Sequence, residues 1–114
     1  MPQQHHLTKI MILKEFALYL QSKNQEIMSG KTTCAKLLCD WIKIVIKKNP
    51  KNNVDKIVHK EITLAENKNG DFLIVGKSSS GRILVNALYN FSQSYENYIM
   101  QKWLQDKQPK DFKK

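Results

Sequence analysis

From Asp71 to Gln105 the chain passes from a short apolar block to a long periodic one. Phe72, Leu73, Ile74 and Val75 form a block of strand length, and Gly76-Lys77-Ser78-Ser79-Ser80-Gly81-Arg82 follows as a loop of small and charged residues. Beyond it Leu84, Leu88, Phe91, Tyr95 and Tyr98 recur at steps of three and four, which puts them on one face of a helix. Asn86, Asn90, Gln93, Asn97 and Gln101 fall on the opposite face. This is the longest amphipathic stretch, so the other elements are expected to pack against it.

Upstream, the pattern predicts a first helix over Leu7–Lys23, with Ile10, Leu13, Phe16, Ala17 and Leu20 as its inner stripe. Met11, Ile12 and Tyr19 widen its apolar surface beyond one face, which fits either a broadly buried helix or a surface for a partner. Asn24 to Lys31 reads as a connection broken at Ser29-Gly30. Thr32 or Thr33 can cap a second helix, from about Cys34 to Lys48, which Pro50 closes. Its expected buried line is Ala35, Leu38, Ile42 and Val45, with Leu37, Trp41 and Ile44 beside it. Charges at Lys36, Asp40, Lys43 and Lys47 repeat at helical spacing and outweigh the β-branched cluster from Ile42 to Ile46. A helical turn at Val54–His59 and a strand at about Glu61–Ala65 come next. Asn67-Lys68-Asn69-Gly70 is a turn signal, because Asn and Gly accept positive φ at low cost. With apolar residues on both sides, the block from Glu61 to Val75 predicts a β-hairpin.

The expected fold is therefore α+β and mainly α by residue count: two N-terminal helices, a β-hairpin, and a long C-terminal helix. Helices and strands are segregated along the chain, which is not the alternation of a doubly wound sheet. The expected organisation is a flexible tail over residues 1–6, one compact domain over 7–105, and a basic, disordered tail over 106–114. The 114 residues, 41% of them hydrophobic, suffice for one core without disulfides or metals. Apolar runs are too short for a membrane span, and the first six residues lack a signal-peptide pattern. A cytoplasmic or other reducing compartment is expected, with Cys34 and Cys39 as free thiols; no cofactor or metal is implied.

Charge changes the picture most. Nineteen basic and ten acidic residues leave a net +9, which favours anionic partners. Arg82 is the only arginine. Lysine acts as a point charge on phosphate, whereas bidentate reading of guanine is chiefly arginine work. A biased, AT-rich coding sequence would also enrich lysine, asparagine and isoleucine. Six lysines, Lys43, Lys47, Lys48, Lys51, Lys56 and Lys60, form a belt around the end of the second helix. A helix C-terminus also attracts cations, so the belt has a structural as well as a phosphate-binding reading.

The segment Gly76–Ile83 resembles the phosphate-binding loop of P-loop nucleotidases in the spacing of Gly76 and Gly81 and in its place between strand and helix. Arg82 stands where the phosphate-gripping lysine belongs, and Ile83 where the magnesium-binding hydroxyl belongs. The loop is thus not expected to hydrolyse nucleotides. It could still seat a phosphate on Lys77, Ser78, Arg82 and free backbone N–H groups, or serve only as a serine-capped helix start. Among the aromatics, Phe91, Tyr95 and Tyr98 read as core, Tyr89 and Trp103 as the more exposed members. No acid pair, nucleophile–base pair or metal cluster stands out, so no enzyme is expected.

Two function classes remain. In the first, the chain is a small nucleic-acid-binding protein contacting DNA or RNA backbone, with little base specificity, through Lys43, Lys47, Lys48, Lys51, Lys56, Lys60, Lys77, Ser78 and Arg82. In the second, it is a non-enzymatic interaction module, a subunit, adaptor or inhibitor docking on a larger acidic protein or on a second copy of itself through Met11, Ile12, Tyr19 and Trp103.

Overall fold

A computed structural model describes the backbone of residues 2–107 and the side chains of residues 9–105. The described elements are α1 (Pro2–Gln21), α2 (Asn24–Met28), α3 (Cys34–Lys47), α4 (Asn53–Glu61), β1 (Ile62–Glu66), β2 (Phe72–Gly76) and α5 (Ser79–Lys107). The fold is α+β and dominated by helix. The connection expected at Asn24–Lys31 contains the short helix α2, and the helical turn at Val54–His59 lengthens into α4. Of the tails expected over residues 1–6 and 106–114, the backbone of 2–6 belongs to α1 and that of 106–107 to α5, and 108–114 lie outside the described residues.

Local chemistry sets the element ends. Thr33 caps α3, its hydroxyl accepting from the Lys36 N–H at 3.2 Å. Asn52 caps α4 and accepts from the Asp55 N–H at 2.9 Å, while Asp55 reaches back to the Lys51 N–H at 3.2 Å. The pattern is a variant of the capping box in which the third-position carboxylate reaches the N–H of the residue before the cap. β1 and β2 pair antiparallel with Leu64 opposite Ile74, and Gly70 takes the positive φ of 84° that the turn demands.

The core lies where α1, α3 and α5 meet under one face of the hairpin. Phe16, Leu20, Leu38, Ile42, Val58, Ile62 and Leu88 are almost wholly buried, each contributing about 1.5–3 kcal/mol relative to exposure. A run of rings ties the helices together. Phe16 lies 5.3 Å from Trp41 and 6.0 Å from Phe91, and Phe91 lies 6.3 Å from Tyr95.

Several faces differ from the pattern by a small rotation. On α1, Ile12, 1% exposed, joins Phe16 and Leu20 inside, whereas Ile10 and Leu13 are half-buried. On α3, Cys34, Leu37 and Trp41 are buried, whereas Ala35 and Ile44 face solvent. On α5, Val85, Ser92 and Ile99 join Leu84 and Leu88 inside, and Tyr98 is 58% exposed. Ser92 is tolerated there because its hydroxyl donates to the Tyr89 carbonyl at 2.8 Å.

The two loop glycines bring β2, α4 and α5 together. A Cβ on Gly76 would collide with the Arg82 backbone nitrogen, and one on Gly81 with the Glu61 carbonyl oxygen. Neither obstacle is a side chain that could swing aside. Gly30 differs: its φ is +79° with open space around it. Gly76→Ala and Gly81→Ala should each lower stability by about 2–3 kcal/mol through overpacking. Gly30→Ala should cost only about 1 kcal/mol, from backbone conformation alone. Urea unfolding midpoints check this ranking; equal costs at all three positions would contradict it.

Candidate nucleic-acid interface

The P-loop-like segment is built around a carboxylate of the same chain. Ser78, immediately before α5, donates its hydroxyl to Glu61 Oε1 at 3.1 Å, and Ser80 donates to Glu61 Oε2 at 2.7 Å. The Ser78 oxygen also accepts from the Gly81 N–H at 3.4 Å, so charge and cap are relayed through one hydroxyl. The Lys77 N–H donates to the Glu61 carbonyl at 2.8 Å, and Lys77 Nζ donates to the His59 carbonyl at 2.9 Å. The anion at the N-terminus of α5 is thus Glu61. A phosphate on Ser78 would have to displace it, so the loop serves as a clamp between α4 and α5, and Ser78 belongs to that clamp. Arg82 remains exposed, its Nη2 donating to Ser79 Oγ at 3.4 Å.

The lysine belt divides into engaged and free members. Lys43 Nζ sits 4.1 Å from the centre of the Phe72 ring, a cation–π contact joining α3 to β2. Lys48 Nζ lies 3.4 Å from Asp55 Oδ2, a carboxylate only 2% exposed. Lys47, Lys51, Lys56 and Lys60 are exposed, and among the described residues their ammonium groups meet no hydrogen-bond or ion-pair partner. Lys56 and Lys60 are four residues apart, so they share the solvent face of α4. His59 turns the other way and its Nε2–H donates to the Val45 carbonyl at 2.9 Å, locking α4 to α3. Of the two carboxylates within residues 43–61, Asp55 is buried and the half-buried Glu61 is taken up by the serines at the start of α5. Lys47 at the end of α3, Lys51 in the connection, and Lys56 and Lys60 on α4 thus all reach solvent, and Lys77 lies beside the end of α4.

Of the four residues expected at a protein interface, one is not at the surface. Ile12 belongs to the core; its place on α1 falls one residue from the expected stripe because α1 is apolar on several sides. Met11 is 45% exposed, whereas Tyr19 and Trp103 are half-buried. Tyr89, expected outside, is half-buried as well.

Sequence reasoning missed Glu61 and Glu96. Glu96 Oε1 accepts from the Cys34 N–H at 2.8 Å, holding the start of α3 to the middle of α5. A groove of about 360 Å³ opens beside this contact, lined by Thr33, Ala35, Ser92, Gln93, Glu96 and Asn97. It lacks a nucleophile–base pair. Among the described residues no cluster of three or more His, Cys, Asp or Glu is placed to hold a metal, and no helix is long and apolar enough to cross a membrane. The signal for Glu61 was available in principle: one carboxylate before a hairpin, and serines at a helix start after it. Comparison with protein-family models, with curated proteins and with solved structures found no match.

Cys34 and Cys39 are both free thiols. Burial, reinforced by the Glu96 carboxylate, pushes the Cys34 thiol up to about 11. A raised pKa means that the folded chain holds the proton more tightly than the unfolded one, whose thiol titrates near 9.0. The resulting stability is complete below pH 9 and is lost as pH climbs towards 11. Burial also raises Tyr19 and Tyr95, from their ordinary 10.0, so their losses begin later. Unfolding free energy should therefore fall between pH 9 and pH 10 in the natural chain and stay flatter in Cys34→Ala. An identical slope in the two proteins would contradict this.

Proposed function

We propose that this chain binds nucleic acid through the phosphate backbone, along the ridge carrying Lys47, Lys51, Lys56 and Lys60. The observation that supports the reading best is the separation of charges in residues 43–61. Every exposed charge there is an ammonium group, while Asp55 and Glu61 are turned to helix N-termini. Lys48, half-exposed beside Asp55, and Lys77 and Arg82, at the α4–α5 junction, flank the ridge.

The chemistry favours positioning on backbone over reading of bases. Lysines supply point charges, and the one arginine lies off the ridge. α4 spans about 13 Å, at 1.5 Å per residue over its nine residues, which suits a short track of neighbouring phosphates. Catalysis forms no part of this reading.

Fluorescence anisotropy with a labelled mixed-sequence duplex at several salt concentrations tests it. Four phosphate contacts should give a log–log salt slope of about −3.6. Lys56→Ala with Lys60→Ala should reduce the slope by about 2 without moving the melting temperature, since neither side chain touches the core. Binding that is absent at low salt, or insensitive to salt, would overturn the reading and leave an acidic protein as the partner for the ridge.

A further inference from the structure

α5 carries a second surface, chemically unlike the ridge. Ile83, Asn90, Asn97 and Leu104 recur every seven residues, and Asn86, Gln93 and Met100 repeat at the same interval three residues later. All seven are exposed. Positions seven apart, offset by three and four, share one face of a helix, here four carboxamides between aliphatic or thioether ends. It lies opposite the buried line of Leu84, Leu88, Ser92 and Ile99.

The strip is also uncharged. At the chain's average of 25% charged residues, the twenty-two positions from Ile83 to Leu104 would hold five or six charges. They hold two, Lys102 near the end and Glu96, whose carboxylate is turned to the Cys34 N–H. A surface serving an acidic protein or a nucleic acid would carry some of the eighteen lysines; this one excludes them.

Its order along the helix is nearly palindromic. Counted outward from the midpoint between Gln93 and Ser94, Asn90 matches Asn97, Asn86 matches Gln101, and Ile83 matches Leu104. Two copies laid antiparallel about that midpoint would set amide against amide and aliphatic against aliphatic. Carboxamides both donate and accept, so like can pair with like. The two helix dipoles would oppose. We propose that the outer face of α5 is a self-association surface, on which a second copy of this chain docks antiparallel about a two-fold axis near Gln93 and Ser94.

From Ile83 to Leu104 the strip is about 32 Å long, at 1.5 Å per residue, and about 10 Å wide. Its footprint of roughly 300–400 Å² per copy is well below the ~800 Å² of a standard stable interface. The dimer is therefore weak and concentration-dependent. Each copy carries net +9, so salt screens the repulsion and strengthens dimerisation, the opposite of its effect on nucleic-acid binding.

Sedimentation velocity of the full chain, from about 10 μM to 1 mM at two salt concentrations, tests association. A dimer fraction that grows with protein and with salt is expected. Asn90→Lys with Asn97→Lys should weaken it at least tenfold without lowering the unfolding midpoint of the dilute protein. Orientation is read by oxidative cross-linking in a Cys39→Ser background. Gln93→Cys should link to its own copy, and Ile83→Cys should not, its partner lying about 32 Å away across the dimer. A monomer at every concentration would overturn the proposal. So would a dimer that survives both lysines, or equal cross-linking at the two positions.

Discussion

Glu61 sits where α4, β1 and α5 converge, and the placement of the longest helix depends on it. Its carboxylate receives both serine hydroxyls at the start of α5, while its backbone carbonyl receives the Lys77 N–H and presses against Gly81. Side chain and main chain of one residue thus fix the direction in which α5 leaves the hairpin. That direction carries Leu84, Val85 and Leu88 into the core and sets the aromatic rings of Phe91 and Tyr95 in line with Phe16. The same principle recurs at two other helices. Glu96 meets the N-terminus of α3, and Asp55 closes the cap of α4. Each places a negative charge at the positive end of a helix, a contribution of about 0.3–1 kcal/mol, more where partly buried.

This arrangement has an electrostatic consequence at the surface. Three of the ten acidic residues are directed to helix N-termini, so they offset few of the exposed lysines. Between residues 43 and 61 the exposed charges are all ammonium groups, whereas the exposed positions of α5 from Ile83 to Met100 carry none. Codon bias can enrich lysine and asparagine, but it does not choose which carboxylates face inward. The polar surface of α5 and the proposed basic ridge therefore differ in chemistry.

Much of the architecture was legible because its determinants are local. Thr33 and Pro50 frame α3, Asn69-Gly70 marks the hairpin turn, and the polar side of α5, from Asn86 to Gln101, is exposed as its spacing indicates. Rotational phase was read less well. Ile12 in place of Leu13, and Ile99 in place of Tyr98, are each one residue away, or 100° around a helix. Where apolar residues occupy several sides of a helix, tertiary packing chooses which side goes in. The loop between β2 and α5 was legible only in part, for a related reason. Gly76 and Gly81 have the spacing of a phosphate loop, but their bare backbone admits neighbouring main chain. Only the fold reveals that a carboxylate seventeen residues before Ser78 fills the position of the anion.

The most direct measurement is a double-mutant cycle between Glu61 and Ser80, read by urea unfolding of Glu61→Ala, Ser80→Ala and the double variant. If the carboxylate clamps the start of α5 through that hydroxyl, the pair should show a coupling energy of about 1–2 kcal/mol, as befits a hydrogen bond to a charged group. Losses that simply add, within about 0.3 kcal/mol, would show that Glu61 does not hold the helix and that α5 is oriented by packing alone.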